Sequence, residues 1–278
     1  DVRVRQGDLG LGKTDSVRAR AVVLAADGGS VSMAGRIKTA SDDGGSIAIW
    51  ARDDVTLAAG GVLDAAAVSS GGRGGKVVLG ATQGNVAVQA DSLIDVTGDP
   101  SQSGREVVLR AQRTADDVRV SQLKGSVKGT DGVIVEAYQV YQASSLTTTG
   151  ASVPGGNLNV LAASTLPSSL YTLTSAYMSA ARPKVVARLG AGVRLRPGIE
   201  IRSPDTAGEN GQLTLAANWN LCGTLTGCVS TAARPAWRFN GEPGILTLRS
   251  QGDLAINANL SDGFNAATAT GQLQRGQD

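Results

Sequence analysis

The fold is decided by residues 70–100, which read SGGRGGKVVLGATQGNVAVQADSLIDVTGDP. Three short runs rich in β-branched residues lie between clusters of Gly, Asn and Asp: Val77-Val78-Leu79, Val86-Ala87-Val88 and Ile94-Asp95-Val96. Such runs, bounded by turn-forming residues, are typical of short strands. The stretch therefore predicts three strands and three turns in one winding of the chain.

The first triplet recurs at intervals of about 25 to 33 residues, within the range of solenoid repeats. Its copies are Val22-Val23-Leu24, Ile47-Ala48-Ile49, Val77-Val78-Leu79, Val107-Val108-Leu109, Val133-Ile134-Val135, Leu158-Asn159-Val160, Leu213-Thr214-Leu215 and Leu246-Thr247-Leu248, with a weaker unit at Val185–Ile201. A second strand follows several copies, among them Val118-Arg119-Val120. Stacked windings can bury aliphatic residues that no single winding buries alone. The repeat predicts an all-β fold: one right-handed parallel β-helix segment over residues 1–278, with about three strands per coil.

Two stretches interrupt the repeat. Residues 165–183 carry apolar residues on a rough helical spacing, with Pro167 near the start, so either a short lateral helix or an irregular insertion is expected. Residues 219–243 hold both cysteines, two of the three tryptophans and Phe239. Long insertions in a solenoid project sideways and are the best places for specific contacts.

The two cysteines, Cys222 and Cys228, are separated by a loop-like stretch with two glycines. A disulfide closing this loop suits an oxidising compartment, with two free thiols as the alternative. A zinc site is not expected, because two more ligands would have to come from scattered carboxylates.

Composition limits the function. The chain has 26 basic and 24 acidic residues, interspersed, which gives no basic stripe for nucleic acid. It has no histidine, the commonest general base and metal ligand. Apolar runs such as 21–26 are too short to span a membrane. The chain starts with neither Met nor a signal peptide, so we expect the native protein to extend beyond Asp1.

One motif matches the phosphate-binding loop pattern: Gly7-Asp8-Leu9-Gly10-Leu11-Gly12-Lys13-Thr14. That chemistry needs a long helix after the loop, whereas here the sequence runs into the Val22 strand. We therefore interpret the motif as a Gly-rich turn. Isolated Asp-Gly pairs are likewise read as turns, with an incidental calcium ion as the alternative, because the calcium-binding nonapeptide repeat is absent.

Three pairs of adjacent acids are candidates for glycoside hydrolysis, which needs clustered carboxylates. They are Asp42-Asp43, Asp53-Asp54 and Asp116-Asp117. Adjacent residues point in different directions on a strand and Asp favours turns, so we interpret these pairs as solvated turns. The sequence therefore offers no catalytic, cofactor-binding or metal-binding residue.

Aromatic side chains are the remaining candidates. Tyr138 and Tyr141 lie close together in sequence, and Trp219, Trp237 and Phe239 lie in the second insertion. Aromatic residues can contact a ligand or a partner, or they can cover the side of the β-helix where the insertion packs. Both interpretations stay open from the sequence.

Several stretches resemble exoproteins of the filamentous-haemagglutinin type. They are residues 25–31 (AADGGSV), 51–60 (ARDDVTLAAG), 72–77 (GRGGKV), 241–249 (GEPGILTLR), 252–254 (GDL) and 260–264 (LSDGF). Together they resemble the late region of very long members of that family, and the resemblance covers about Gly7 to Phe264. The cysteine pair departs from the shaft repeats of many relatives.

The resemblance implies a secreted β-helix that crosses the outer membrane through a dedicated β-barrel transporter. It also implies a bacterial cell-surface location and a role in adhesion or virulence, or in display of a toxin for contact-dependent inhibition. The expected partners are that transporter and a host or bacterial surface receptor or glycan. We thus expect a non-enzymatic structural and adhesive shaft, with a carbohydrate-active β-helix enzyme or a glycan-binding module as the alternatives.

Overall fold

The structure is a computed structural model of the chain. It describes residues 1–143, 145–147, 150–152, 166–203, 211–216, 219–221, 237–239, 241–258, 260–261, 264–265 and 274–275. This part of the chain is mostly β and contains one α-helix. The chain divides into two compact units, residues 1–137 with 180–195 and residues 138–179 with 196–278. That residues 1–278 form one uninterrupted segment stays a prediction.

Short strands that recur in groups of three build the first unit. They are β1 (Val2–Val4), β2 (Leu9–Leu11), β3 (Ser16–Arg18), β4 (Ala21–Ala26), β5 (Val31–Met33), β6 (Arg36–Lys38), β7 (Ser46–Ala51), β8 (Val55–Leu57), β9 (Val62–Asp64), β10 (Lys76–Ala81), β11 (Val86–Val88), β12 (Leu93–Asp95), β13 (Glu106–Gln112), β14 (Val120–Leu123) and β15 (Ser126–Lys128). From β4 onward, each strand pairs in parallel with the strand three positions earlier in the chain, so that β4 pairs with β1 and β5 with β2. The sheets that contain β1, β2 and β3 are the first, second and third sheets, and one passage through all three is a coil.

The register between coils matches the triplets predicted from the sequence. Val22 lies opposite Ile47, and Ile47 lies opposite Val77, which lies opposite Val107. The triplets at 22, 47, 77 and 107 are therefore neighbouring strands of the first sheet. The copy predicted at Leu213-Thr214-Leu215 is wrong, because that strand lies in a different sheet and pairs with residues 254–256. The chain contributes one strand to each of three parallel sheets in turn, which is compatible with a parallel β-helix.

Aliphatic ladders form the core of the first unit. In β4, β7, β10 and β13 the second, fourth and sixth residues are buried, as expected for strands with one face inward. The second sheet adds two inward residues per coil and the third sheet adds one. Stacked in register are Val22, Ile47, Val77 and Val107; Leu24, Ile49, Leu79 and Leu109; Val31, Val55, Val86 and Val120; and Ile37, Leu63 and Ile94. Side chains of like shape thus lie on one another in successive coils.

Glycines before the first sheet allow turns of neighbouring coils to touch. A Cβ on Gly44 would lie 2.2 Å from the backbone nitrogen of Gly75, and one on Gly72 would lie 2.1 Å from the carbonyl oxygen of Asp42. No side chain fits at such distances, so these turns require glycine. The Gly-rich stretches in the sequence are therefore points of close backbone approach.

The second unit contains further strands that pair in parallel, although only some of them belong to the first sheet. Strands β16 (Val133–Gln142) and β19 (Val193–Arg202) begin in the first unit and end in the second. The others are β17 (Ser145–Thr147), β18 (Gly150–Ser152), β20 (Leu213–Leu215), β21 (Trp219–Asn220), β22 (Arg238–Phe239), β23 (Glu242–Pro243), β24 (Ile245–Arg249), β25 (Leu254–Ile256), β26 (Leu260–Ser261), β27 (Phe264–Asn265) and β28 (Gln274–Arg275). Strands β19, β20 and β21 pair in parallel with β24, β25 and β26. The pairs β17–β18, β22–β23 and β27–β28 are antiparallel.

The helix is α1 (Leu166–Leu189). Its buried residues are spaced three or four apart, which places them on one face; they are Leu170, Thr174, Tyr177, Met178, Ala181, Val185 and Leu189. Gly190, with φ of +107°, ends the helix and donates its N–H to the carbonyl oxygen of Val186 at 2.9 Å. Within the described residues, no helix has the length and apolarity needed to cross a membrane.

The helix corrects one predicted repeat unit. The stretch 165–183 was expected to be a short helix or an irregular insertion, but α1 continues to Leu189. The weaker repeat expected at Val185–Ile201 is therefore wrong in its first part, and its strand begins at Val193. Val185 and Leu189 continue the buried face of the helix, and this packing outweighs the strand propensity of Val185. The copy at Leu158-Asn159-Val160 lies outside the described residues.

Two further boundaries differ from the sequence prediction. The predicted strand Val118-Arg119-Val120 begins only at Val120, because Val118 forms an isolated bridge to Arg113 and the β11–β14 register shifts after Val86. The predicted insertion 219–243 begins too early, since Trp219 lies in β21 and pairs with Leu260 in the next coil.

Candidate interaction surface

The outward face of the first sheet is apolar in the first unit. Outward residues in the middle of its strands are stacked across successive coils: Val23, Ala48, Val78 and Val108. The first three are half-buried and Val108 is buried. Residues that face away from a core are commonly polar, so a row of small aliphatic side chains here is a candidate contact surface.

Trp50 lies beside this row, two residues after Ala48. Its register neighbours are Ala25 in the coil before and Gly80 in the coil after. A Cβ on Gly80 would lie 2.2 Å from Cζ3 and 2.3 Å from Cε3 of Trp50. The six-membered part of the indole therefore covers the backbone of Gly80, which must be glycine, while Trp50 itself is only half-buried. We call Val23, Ala48, Trp50, Val78 and Gly80 the platform.

One side of the platform is polar. Ser46, Lys76 and Glu106 are register neighbours at the start of three strands. Lys76 Nζ lies 2.7 Å from Glu106 Oε1, and the two side chains are 53% and 37% exposed. An exposed pair of this kind contributes less than about 1 kcal/mol to stability, so its polar atoms stay available to other partners.

A second ion pair lies beyond Gly80 on the same face. Arg110 is the register neighbour of Gly80, and its Nε donates to Oε1 of Glu136 at 2.9 Å. These side chains are 9% and 7% exposed. A buried pair costs desolvation that its own attraction offsets only when the geometry is good. In both pairs a basic group compensates an acidic one, so neither gives the platform a net charge.

The other two sheets carry mainly polar residues on their outward faces, although Ala87, Val62 and Leu93 also face outward there. Ser32 and Thr56 are stacked on the second sheet, and Lys38 and Asp64 on the third. Lys38 Nζ lies 3.7 Å from Asp64 Oδ2. Of the three sheets, the first alone combines aliphatic residues with an accessible aromatic ring on its outward face.

The paired aspartates at 42–43 and 53–54 link one coil to the next. Asp42 Oδ1 accepts a hydrogen bond from Ser69 Oγ at 3.2 Å, and Asp43 Oδ1 accepts one from the backbone N–H of Arg73 at 2.9 Å. Asp54 Oδ1 accepts one from the backbone N–H of Asn85 at 2.7 Å. These bonds satisfy one hydroxyl and two backbone amides in the turns, in line with the interpretation of these residues as turn residues.

The pair Asp116-Asp117 contacts the helix instead. Asp116 pairs with Lys184, and Asp117 pairs with Arg188. Arg188 also donates to the carbonyl oxygen of Val118 at 3.3 Å and to that of Val120. Val120 begins β14, the last strand of the second sheet, so the guanidinium occupies an acceptor at an open sheet edge. This contact was not predictable from the sequence, because its partners are about 70 residues apart in the chain.

A cavity of about 330 Å³ lies where the second and third sheets end. Its apolar lining includes Leu123, Val127, Val133, Leu189 and Val193. Val127 is half-buried, although Ile37, Leu63 and Ile94, its counterparts in three earlier coils, are buried. Leu189, at the end of the helix, thus packs near Val127 and Leu123 but leaves a cavity between them.

The phosphate-loop motif forms no anion cradle. Residues 9–11 are strand β2, and the N–H of Gly12 donates to Asp15 Oδ2 at 2.8 Å. The chain then enters strand β3 at Ser16 rather than a helix. A phosphate loop depends on amides that open a helix, so this segment is a turn between strands.

The predicted aromatic contacts are buried where the structure describes them. Trp237 and Phe239 are 1% and 2% exposed, with ring centroids 6.3 Å apart. Phe239 also stacks on Tyr171 at 5.4 Å. Burial of this kind is the packing arrangement rather than ligand contact. The side chain of Trp219 lies outside the described residues, as do Cys222 and Cys228.

Two further candidates, Tyr138 and Tyr141, are also buried. No group of three or more residues able to hold a metal ion occurs in the described ranges.

Comparison with known proteins adds no assignment. No protein-family model, no curated protein and no solved structure matches the chain. Any function must therefore be argued from the residues themselves.

Trp50 was not among the residues predicted from the sequence to make contacts, although a signal for it was present. Aligning Ile47 with Val77 places Trp50 opposite Gly80, a large ring beside a residue without a side chain. Only the register between coils reveals this pair, because the two residues are remote in sequence.

Proposed function

We propose that this chain is a shaft segment of a secreted, cell-surface exoprotein of the filamentous-haemagglutinin type, folded as a right-handed parallel β-helix. One observation carries the proposal: the aliphatic triplets of successive coils pair in register, in parallel, in each of three sheets. An architecture of this kind grows by repetition and suits extension rather than an enclosed active site.

The role of such a segment is mechanical. Each added coil lengthens the stack by about 4.8 Å, the spacing between paired strands. Interior strands bond to a neighbour on both sides, and their inward side chains interlock, so bending would break many contacts at once. A stack like this can carry a binding or toxic tip away from a cell and present its flanks for adhesion.

Location and partners follow from the family resemblance. The proposal includes export through an outer-membrane β-barrel transporter, folding outside the cell, and contact with a receptor or glycan on a host or bacterial surface. The Gly-rich turns and small aliphatic ladders support it, since they let a long chain fold from local repeats.

Catalysis is not proposed. In the three aspartate pairs, Asp42, Asp43 and Asp54 accept hydrogen bonds from turn residues. Asp116 and Asp117 form ion pairs with the helix. A carbohydrate-active enzyme would need carboxylates flanking a substrate groove. Incubation with a panel of polysaccharides would reveal such an enzyme through new reducing or unsaturated ends, and that result would overturn the shaft proposal.

The direct test uses cells that produce the protein. An antibody raised against the chain should label intact cells, and brief external protease should remove the label. Deleting the segment in whole coils should reduce cell adhesion or aggregation. Label that appears only after the cells are lysed would contradict the proposal.

A further inference from the structure

We propose that the platform binds an extended, neutral glycan chain that lies along the stack and crosses strands β4, β7 and β10. The inference concerns a specific site and ligand class, and it depends on the fold of the first unit rather than on the cell-surface location. It rests on the size of the platform, its charge, and the placement of Trp50 over Gly80.

The size of the platform excludes a large protein interface. Three strands at about 4.8 Å spacing, and two outward residues at about 7 Å along each strand, define an area on the order of 100 Å². A stable protein–protein interface buries about 800 Å² on each partner. A narrow ligand that follows the stack fits this area, whereas a folded partner would have to find most of its contacts elsewhere.

The backbone of the platform argues against an added peptide strand. Strands β4, β7 and β10 each pair with neighbours on both sides. Their N–H and C=O groups are therefore used within the sheet, and β-strand addition requires a free edge. Recognition at this face must come from side chains.

The chemistry of the platform matches the two sides of a pyranose ring. The aliphatic row and the indole offer an apolar surface to the C–H face of a sugar. Ser46 Oγ, Lys76 Nζ and the Glu106 carboxylate lie along one side and can bond to hydroxyl groups. Because Gly80 has no side chain, the indole of Trp50 packs directly against the sheet. The ring is therefore already in position before a ligand binds.

The charge of the platform selects a neutral ligand. Lys76 is paired with Glu106, and Arg110 is paired with Glu136. Neither pair leaves an excess of positive charge for a uronate or sulfate group. Acidic glycans should accordingly bind no better than neutral ones.

The test measures binding of the full chain to neutral hexasaccharides with glucose, mannose or galactose backbones, by calorimetry and tryptophan fluorescence, up to about 10 mM ligand. Hexagalacturonate and a heparin hexasaccharide serve as acidic comparisons. We expect at least one neutral hexasaccharide to bind, more tightly than its disaccharide. Absence of binding by every neutral glycan, or preference for an acidic one, would overturn the proposal.

Variants locate the site. Trp50→Ala should weaken binding about tenfold or more, and Trp50→Tyr should retain most of it. Gly80→Ala should also weaken binding, because the added Cβ displaces the indole. Thr56→Ala, on the outward face of the second sheet, is the matched control and should bind as the parent does. Thermal unfolding by circular dichroism checks that each variant is folded.

Two results would distinguish glycan binding at the platform from glycan binding elsewhere and from self-association of the chain. Equal affinity in Trp50→Ala and the parent would show that the glycan binds elsewhere. Sedimentation that shows self-association abolished by Trp50→Ala would make the platform a contact between copies of the chain instead. Neither result depends on where the protein is located, so failure here leaves the shaft proposal to its own test.

Discussion

At the scale of single residues, the coil turns show which positions are set by the backbone. Gly60 has a φ of +85°, and its N–H donates to the carbonyl oxygen of Asp91 at 2.9 Å. Asp91 occupies the same turn in the next coil with a φ of +61°. Asp is among the few residues that tolerate this left-handed conformation, so the turn keeps its shape without a second glycine.

We predict that Gly60→Ala lowers the free energy of unfolding by about 1–2 kcal/mol. The cost comes from the backbone alone, since nothing lies within 4 Å of a Cβ at this position. Gly71 is the matched control: it also has open space around its Cβ, but its φ is not left-handed. Gly71→Ala should be neutral or slightly stabilising in the same urea titration. Equal losses in both variants would refute the argument.

The carboxyl group of Asp99 should have a lower pKa than an ordinary aspartate. Hydrogen bonds from the Ser101 hydroxyl at 2.7 Å and from its N–H at 2.8 Å, with a smaller contribution from Arg105, hold the pKa of this carboxyl below its usual 3.8. The stability it contributes is present above the pKa of the unfolded chain and is lost as the pH falls through the lower folded value.

NMR titration of the Asp99 carboxyl carbon should give a midpoint below that of an unstructured Asp. Ser101→Ala should raise the midpoint only part of the way, because the backbone N–H remains as a donor. An unchanged midpoint in Ser101→Ala would show that the hydroxyl bond does not form in solution.

At the scale of elements, the helix and the second sheet meet through side chains of unequal importance. Arg188 is partly buried and bonds to a carboxylate and to the carbonyl oxygens of Val118 and Val120, of which the second lies on the edge strand. Lys184 pairs with Asp116 alone, and both of these side chains are about half exposed. Solvent screens the second contact far more than the first.

We predict that Arg188→Met lowers the free energy of unfolding by about 1–3 kcal/mol, because it leaves carbonyl acceptors without a donor. Lys184→Met should cost less than about 1 kcal/mol. Chemical denaturation at low and at high salt measures both, and the small Lys184 effect should shrink further with salt. Similar losses in the two variants would contradict the proposed role of Arg188.

The elements also show how far sequence reasoning reaches. The triplets at 22, 47, 77 and 107 were predictable, because alternation and turn residues are local signals. The extent of α1 was not, since Val185 favours a strand in isolation and becomes helical through burial on one face of the helix. The contact of Trp50 with Gly80 is an intermediate case. Predicting it requires the register between coils, and that register follows from the sequence once the triplets are aligned.

At the scale of the whole molecule, the regular register makes coils interchangeable. Gly45 and Gly75 precede equivalent strands, since Ser46 lies opposite Lys76. Removing residues 46–75 would join Gly45 to Lys76 and remove one full winding. Every ladder would then close on equivalent residues: Val22 on Val77, Val31 on Val86, and Ile37 on Ile94.

We therefore predict that deleting residues 46–75 leaves a cooperatively folded protein of lower stability, because stacked repeats add nearest-neighbour terms. Deleting only residues 46–60 should abolish cooperative unfolding, although half as many residues are lost, since strands of different sheets would be forced together. Circular dichroism and thermal melts of both deletions decide the matter. A full-coil deletion that unfolds as completely as the half-coil one would mean that the windings are not equivalent units.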